Sequence, residues 1–294
     1  MQACVRIADL EKSYGSFSLR GMNLIVPAGS IVGLVGENGA GKSTTIRMLL
    51  GAVPRDAGSI QVLGMDIDDP RWMSVKEDIG VVLDECHFPE TMKPQQLSKV
   101  MQGIHAKWDR QSFSSYLKRF GIPEGKRIKD FSRGTRIKLA IAVAMSHQAR
   151  LLVLDEPTSG LDPLVRSEML EIFQTFMEDE SHAILLSSHI ISDLEKVADY
   201  ISCLHEGRLV FSESKDDLLY RYGIFKGSRE QFSRIDPADF ISVRENRYGV
   251  EALSCDRATV GAKYPFLMQD RLSIEEIMMH VLRDHQDGEM EEKS

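Results

Sequence analysis

Short apolar runs alternate with stretches of helical spacing along most of the chain. The continuous runs are typical of strands buried in a parallel sheet, and they occur at residues 31–35, 78–83, 151–154 and 182–187. Between and beyond them, apolar residues recur at three- and four-residue intervals, which predicts helices at residues 45–50, 94–107, 111–120, 133–145, 163–177 and 190–197. Strands that alternate with helices in this way predict an α/β architecture with a mainly parallel sheet.

Further strands are predicted around this alternating pattern. They occupy residues 3–10, 22–26, 58–63, 199–205 and 208–211. After residue 222 the rhythm changes, and two short runs at 240–244 and 250–254 predict a pair of strands. We therefore predict a main domain over residues 1–222 and a small α+β appendage over residues 223–294.

The last predicted helix of the appendage, residues 274–282, has a clear start signal. Ser273 stands where a helix cap is expected, and Glu276 follows three positions later. A serine and a glutamate at this spacing form a capping box, in which each side chain binds the other residue's backbone N–H. No motif in the appendage indicates its function.

Composition narrows the class of protein. With 294 residues, 43% hydrophobic and 27% charged, the chain can bury a core and is expected to be ordered. A net charge of −8 argues against nucleic acid as the main partner. The four cysteines, at positions 4, 86, 203 and 255, lack C-x-x-C spacing, so we expect reduced thiols rather than a metal site or a disulfide framework.

No segment is expected to cross a membrane. The longest apolar runs are far shorter than the ~20 residues that a membrane-spanning helix needs, and the N-terminal segment has no secretory apolar region. We therefore expect any role at a membrane to depend on another chain.

The strongest chemical signal is GENGAGKST, which follows one predicted strand directly and precedes a predicted helix. Its glycines allow the backbone N–H groups to curl around phosphate oxygens. Lys42 can neutralise the β- and γ-phosphates, and the Ser43 hydroxyl can bind Mg²⁺. A chance match is the alternative, but the strand–loop–helix context disfavours it. The predicted nucleotide-binding residues are Gly36, Asn38, Gly39, Ala40, Gly41, Lys42, Ser43 and Thr44.

Two adjacent carboxylates form the second signal. Asp155 and Glu156 directly follow an apolar strand. Beside a phosphate loop, such an aspartate can hold Mg²⁺, and such a glutamate can orient and deprotonate an attacking water. The alternative is that both carboxylates merely end a strand and face solvent, but the phosphate loop upstream favours the catalytic interpretation.

Together these motifs resemble those of the ATP-binding cassette (ABC) ATPases over roughly residues 5–219. LLVLDEP matches the family's second nucleotide motif, TSGLD its dimer-contact loop, and Ser187-Ser188-His189 its switch histidine. The resemblance implies that Tyr14 stacks on adenine and that His189 assists catalysis. Tyr14 could instead be an ordinary turn aromatic, and His189 could be structural.

The family's signature loop, usually LSGGQ, is replaced here by FSRGT at residues 131–135. Ser132 and Gly134 are retained, so the resemblance implies that they contact the γ-phosphate; Ser132 is also expected to cap the following helix. Arg133 could add charge-assisted contacts or be solvated. Asp84 stands where the family has a glutamine near Mg²⁺, and the resemblance makes it a candidate metal ligand beside Ser43 and Asp155.

The resemblance implies a P-loop NTPase fold with a helical subdomain at about residues 86–148. It also implies ATP and Mg²⁺ as cofactors, a homodimer of cassettes, a separate membrane permease chain, and a location at the cytoplasmic face of the cell membrane. The departures are similar to those of bacterial exporters for antimicrobial or cytolytic peptides such as phenol-soluble modulins. An importer subunit, or a soluble cassette protein acting on ribosomes or DNA ends, remains an alternative.

Overall fold

The chain divides into two units, Met1–Leu209 and Val210–Ser294. The computed structural model describes residues 2–83 and 88–291, with side chains up to residue 282. The sequence pattern placed the division after residue 222, whereas the structure places it within one strand, Arg208–Ser214. The helix Lys215–Arg221 groups with the second unit because it packs on helices of that unit.

Two sheets and a layer of helices make up the first unit. Its strands are β1 (Ala3–Tyr14), β2 (Phe17–Pro27), β3 (Ile31–Val35), β4 (Ala57–Val62), β5 (Met65–Asp66), β6 (Ile79–Val82), β7 (Leu151–Asp155), β8 (Ala183–Ser188) and β9 (Tyr200–His205). Its helices are α1 (Lys42–Leu49), α2 (Trp72–Val75), α3 (Pro94–Ile104), α4 (Arg110–Arg119), α5 (Arg133–Met145), α6 (Pro163–Phe176) and α7 (Ile191–Val197). The predicted alternation of strands and helices is confirmed.

The central sheet has six strands. Within the first unit their order is β9-β3-β8-β7-β6, and these five strands are all parallel. Every residue of β3, β7 and β8 is buried, as their continuous apolar sequences predict for strands covered on both faces. The second sheet, β2-β1-β4-β5, is antiparallel. Parallel strands deliver their carboxyl ends to the same edge, so the residues that follow β3, β7 and β8 come together there.

One hydrophobic core joins both sheets to α1. It includes Ile7 and Leu24 from the antiparallel sheet, Leu34 from β3, Ile46 from α1 and Leu185 from β8. These side chains are almost completely inaccessible to solvent. Because apolar burial is the main favourable contribution to folding, this core fixes the start of α1 relative to the end of β3.

Side-chain caps set the starts of several helices. Ser132 accepts a hydrogen bond from the backbone N–H of Thr135 at 3.2 Å, so α5 begins at Arg133 as predicted. Asp162 caps α6 through the N–H of Val165, with a proline at the first helical position. Helix α5 has the predicted bounds at both ends, because its cap and its apolar spacing agree.

The second unit is an antiparallel sheet with short helices. It contains the remainder of β10 (Arg208–Ser214), followed by α8 (Lys215–Arg221), β11 (Gly223–Gly227), α9 (Arg229–Phe232), β12 (Ser242–Asn246), β13 (Gly249–Ser254), α10 (Arg257–Lys263), β14 (Met268–Asp270) and α11 (Ile274–Glu291). The strand order is β12-β13-β11-β14. Its core includes Phe225, Phe240 and Tyr264. The α+β interpretation is confirmed, and β12 and β13 form the predicted hairpin.

The predicted capping box is present at α11. The backbone N–H of Glu276 donates to Ser273 Oγ at 3.2 Å, and the N–H of Ser273 donates to Glu276 Oε2 at 2.8 Å. These contacts lower the pKa of the Glu276 carboxyl, since they favour its charged form. Helix α11 extends beyond the predicted end at residue 282.

Cys4, Cys203 and Cys255 are free thiols, and Cys86 lies outside the described residues. Burial raises the pKa of the Cys203 thiol to about 12, and the Glu37 carboxylate acts in the same direction. This thiol therefore stays protonated at neutral pH.

Within residues 2–83 and 88–291, no helix is both long and apolar enough to cross a bilayer.

Candidate nucleotide-binding site

The predicted phosphate loop lies between buried β3 and α1. A Cβ atom at Gly36 would lie 2.2 Å from the carbonyl oxygen of Leu204, so only glycine allows the loop to leave β3 along this path. Gly41, directly before α1, has a φ of 113° and lies against Phe17. The strand and helix thus hold the loop at the carboxyl edge of the central sheet.

Lys42 hydrogen-bonds through its side chain to backbone carbonyl groups of its own loop. Its side chain is only 5% exposed, and its Nζ donates to the carbonyl oxygens of Gly36 at 2.6 Å and of Glu37 at 3.1 Å. The ammonium group is therefore held within the curl of the backbone, at the start of α1, where the helix dipole also favours an anion. Asn38 and Gly39 are exposed at the tip, Ala40 is buried, and Ser43 and Thr44 are half-buried.

Asp155 and Ser187 face each other across the pairing of β7 and β8. Ser187 Oγ donates to Asp155 Oδ1 at 2.6 Å and accepts a hydrogen bond from the backbone N–H of Glu156 at 3.0 Å. Asp155 and Ser187 are both buried. The Asp155 carboxylate is therefore held by a protein hydroxyl rather than pointing freely into water, contrary to the solvent-facing alternative.

Glu156 is held at both ends. Its backbone has a φ of 51°, a left-handed conformation that is uncommon for a side chain of this size. Its Oε2 accepts from His189 Nδ1 at 2.7 Å, and its Oε1 lies 3.2 Å from Lys42 Nζ. Because a carboxylate only accepts, His189 Nδ1 carries the proton in this contact. The side chain of His189 is 42% exposed.

The structure therefore brings Lys42, Asp155, Glu156 and His189 together, as the sequence predicted from separate motifs. Ser187 was not among the predicted site residues. The sequence could have indicated Ser187, because a serine at the end of an apolar strand is unusual. The partner of its hydroxyl could not be predicted, since it depends on which strand lies beside it.

Tyr14 lies at the end of β1, and its side chain is 44% exposed. Lys12 Nζ lies 5.4 Å from the centre of its ring, within cation–π range. A ring of this exposure is accessible for stacking on a planar base, which leaves the prediction for Tyr14 open.

Ser132 and Gly134 lie at the start of α5, and among the described residues no hydrogen bond or ion pair joins either of them to Lys42. Ser132 contacts Thr135. A Cβ at Gly134 would lie 2.7 Å from Val165 on α6, so this glycine also allows the two helices to approach closely. Arg133 lies against the TSGLD loop: a Cβ at Gly160 would be 3.2 Å from its Nη1. Asp84, the remaining candidate, lies outside the described residues.

The residues present fit a nucleotide and its magnesium ion. Glu156 Oε1 is buried and makes no hydrogen bond of good geometry; its partner is the Lys42 ammonium at 3.2 Å, a cation that phosphate oxygens could also engage. Ser43 and Asp155 offer the oxygen donors that Mg²⁺ prefers. Among the side chains of residues 2–83 and 88–282, no three His, Cys, Asp or Glu residues converge as a metal site.

Comparison with known proteins agrees with this site. A family profile described as ABC transporter matches residues 19–159. The chain is 34% identical over 216 residues to the bacitracin transport ATP-binding protein BcrA of Bacillus licheniformis, which covers 71% of this chain and 69% of that protein. It is 33% identical over 220 residues to the lantibiotic transport ATP-binding protein SrtF of Streptococcus pyogenes, covering 72% and 91%.

Solved structures show the same fold. The structure of cbiO1 from Clostridium perfringens, part of the ABC transporter complex cbiONQ, matches with a TM-score of 0.65 at 25% identity, over 74% of this chain and 91% of that one. The structure of an ATP binding subunit of an ABC transporter matches with a TM-score of 0.66 at 25% identity, over 78% and 93%.

The backbone at Gly36 lies too close to the carbonyl oxygen of Leu204 to leave room for a Cβ atom. Gly36→Ala should lower the free energy of unfolding by about 1–3 kcal/mol, because the new methyl group meets a backbone carbonyl that cannot move aside cheaply. Urea unfolding followed by tryptophan fluorescence measures this, since both tryptophans, Trp72 and Trp108, lie in the first unit.

Gly103→Ala is the matched control. Gly103 lies in α3, and a Cβ there would meet nothing within 4 Å. Alanine should therefore stabilise this helix by about 0.5–1 kcal/mol. Equal unfolding curves for Gly36→Ala and the parent chain would contradict the described path of the loop.

Proposed function

The chain belongs to the ABC transporter family and is an ATPase, and from this premise we propose that it powers the export of an antimicrobial or cytolytic peptide through a separate membrane-spanning chain. The observation that carries the catalytic part is the contact of one carboxylate, Glu156, with both Lys42 and His189 beside Asp155. The names of the peptide-transport relatives support the substrate class.

We assign the phosphate groups of ATP to the loop at residues 36–44. The backbone N–H groups and the start of α1 favour negative charge there, and Lys42 supplies the one cation buried within the loop. Before ATP enters, Glu156 provides the counter-charge of Lys42. The incoming phosphates then compete for the lysine and free Glu156 to act on water. Tyr14, exposed at the end of β1, is assigned to the adenine ring.

Mg²⁺ fits between the loop and the end of β7. We assign its protein ligands to the Ser43 hydroxyl and the Asp155 carboxylate, directly or through water. The ion supplies charge neutralisation for the phosphate oxygens. Asp84 is proposed as a further ligand only because it stands where the family has a glutamine near Mg²⁺.

Glu156 is assigned as the residue that orients and deprotonates the attacking water, and His189 as the residue that holds it. A general base must be ionised and correctly directed. The hydrogen bond from His189 Nδ1 directs Oε2. Oε1, which is paired with Lys42, would be free to accept a proton from water once the phosphates bind the lysine instead.

The complete site is proposed to form between two copies of the chain. Ser132 and Gly134 lie at the start of a helix whose N–H groups suit a γ-phosphate, yet in the described part of one chain no hydrogen bond or ion pair joins them to Lys42. In a homodimer, each phosphate loop would face the α5 start of the partner. ATP would then close the pair and hydrolysis would open it, which shifts the membrane chain between its states. We therefore assign the protein to the cytoplasmic face of the membrane, next to that membrane chain.

The catalytic assignment is tested with Glu156→Gln. The variant keeps the shape of the side chain but loses the base, so ATP hydrolysis should fall by about 10²- to 10⁴-fold while ATP binding is retained. Lys42→Ala is the contrasting variant and should lose ATP affinity as well. Phosphate release and equilibrium titration with a fluorescent ATP analogue measure the two effects. Near-parental turnover of Glu156→Gln would remove Glu156 from this role.

The shared site is tested by mixing inactive chains. In a dimer of Lys42→Ala with Ser132→Arg, one site carries both defects and the other carries neither. Mixing should therefore restore part of the ATPase activity, whereas neither variant recovers alone. Turnover per chain that stays constant on dilution into a purely monomeric range would contradict a composite site.

The transport assignment is tested in membrane vesicles. A tagged chain is expected to co-purify with a membrane-spanning polypeptide. Inside-out vesicles that contain both chains should accumulate a labelled lantibiotic in the presence of ATP, and vesicles with Glu156→Gln should not. Accumulation in right-side-out vesicles instead would indicate an importer, and co-purification with ribosomes would indicate the non-transport alternative.

A further inference from the structure

We infer that Ser187 is a positioning residue that joins the metal-holding carboxylate to the catalytic base. Its hydroxyl bridges the Asp155 side chain and the Glu156 backbone, and it is inaccessible to solvent. The inference rests on the roles proposed above for Asp155 and Glu156, and it adds a residue that orients both of them.

The direction of each hydrogen bond follows from the chemistry of the groups. An ionised carboxylate can only accept, so the single Ser187 proton goes to Asp155 Oδ1. The serine oxygen then accepts from the Glu156 N–H, a backbone group that can only donate. One hydroxyl thus pairs with both groups. The buried Asp155 carboxylate is the costlier of the two to leave unpaired, because the Glu156 N–H also lies within reach of the Ser187 carbonyl oxygen.

For Asp155, the consequence is a defined orientation. Oδ1 is engaged by the serine, so Oδ2 is the oxygen without that donor and is the one left to meet a cation. A residue that hydrogen-bonds to a metal-holding carboxylate commonly changes metal affinity by about 10- to 100-fold when it is removed. Without the hydroxyl, the carboxylate can rotate about its last bond.

For Glu156, the consequence concerns the backbone. Its φ of 51° persists only where the surroundings hold it. Its N–H lies within reach of both Ser187 Oγ at 3.0 Å and Ser187 O at 3.2 Å. Two residues further along the chain, His189 holds the carboxylate of the same glutamate. The end of β8 therefore fixes both the backbone and the side chain of the base.

The test compares three variants with the parent chain. Ser187→Ala removes the hydroxyl, and Ser187→Thr keeps it on a side chain that suits a strand. Ser202→Ala is the matched control, because Ser202 is equally buried and lies on β9 of the same sheet. Urea unfolding first establishes that the Ser187→Ala and Ser202→Ala chains are folded.

Two measurements then separate positioning from general destabilisation. The first is equilibrium binding of a fluorescent ATP analogue with EDTA and over a range of Mg²⁺ concentrations. Ser187→Ala should bind the metal-free nucleotide within about 2-fold of the parent but need about 10-fold more Mg²⁺ to reach the metal-dependent affinity. The second is ATPase activity at saturating Mg²⁺, which should fall by about 10-fold or more. Ser187→Thr should recover much of both.

An unchanged Mg²⁺ requirement and an unchanged maximal rate for Ser187→Ala, relative to Ser202→Ala, would overturn the inference. Asp155→Asn and Glu156→Gln distinguish this from failure of the proposed site. If Asp155→Asn shifts the Mg²⁺ requirement and Glu156→Gln stops hydrolysis, but Ser187→Ala does neither, only the role of Ser187 is wrong. If none of the three has an effect, the site assignment itself is wrong.

Discussion

The carboxyl ends of β3, β7 and β8 meet at one edge of the central sheet because these strands are parallel neighbours. All three are buried along their whole length, so polar groups are tolerated only where each strand ends. The phosphate loop follows β3, the two carboxylates lie at the end of β7, and Ser187 and His189 lie at the end of β8. The site is therefore a direct consequence of strand order, and an exchange of β7 with an outer strand would separate the base from the lysine.

Charge compensation is the second constraint on this edge. Lys42 is buried, and an isolated buried ammonium group would be strongly unfavourable. Two loop carbonyls and the Glu156 carboxylate compensate it. The same three groups keep the lysine in the place where phosphates would bind, so the contacts that stabilise the protein without nucleotide also prepare it for nucleotide. In the proposed mechanism, nucleotide binding would replace the Glu156 carboxylate by phosphate as the partner of Lys42.

Backbone conformation at the site is equally specific. Gly36 passes a carbonyl oxygen too closely for any Cβ, and Glu156 adopts a left-handed φ although it is not glycine. Glycine at position 36 makes the close approach possible because it has no Cβ. The φ of Glu156 is stabilised by the hydrogen bonds from its N–H to Ser187. A left-handed φ in a residue other than glycine often occurs at functional sites, which supports the role proposed for the Glu156 carboxylate.

The sequence alone determined the features that depend on neighbours along the chain. Apolar spacing and the Ser132 cap defined α5 at both ends, and the loop at residues 36–44 was recognisable because its glycines, lysine and serine are local. In the second unit, β11 and β14 were missed, since short strands form only through pairing with distant partners. The role of Ser187 was hidden for the same reason: its contacts lie more than 30 positions away. Only the tertiary structure decides which strand ends meet, and hence which polar side chains can hydrogen-bond across them.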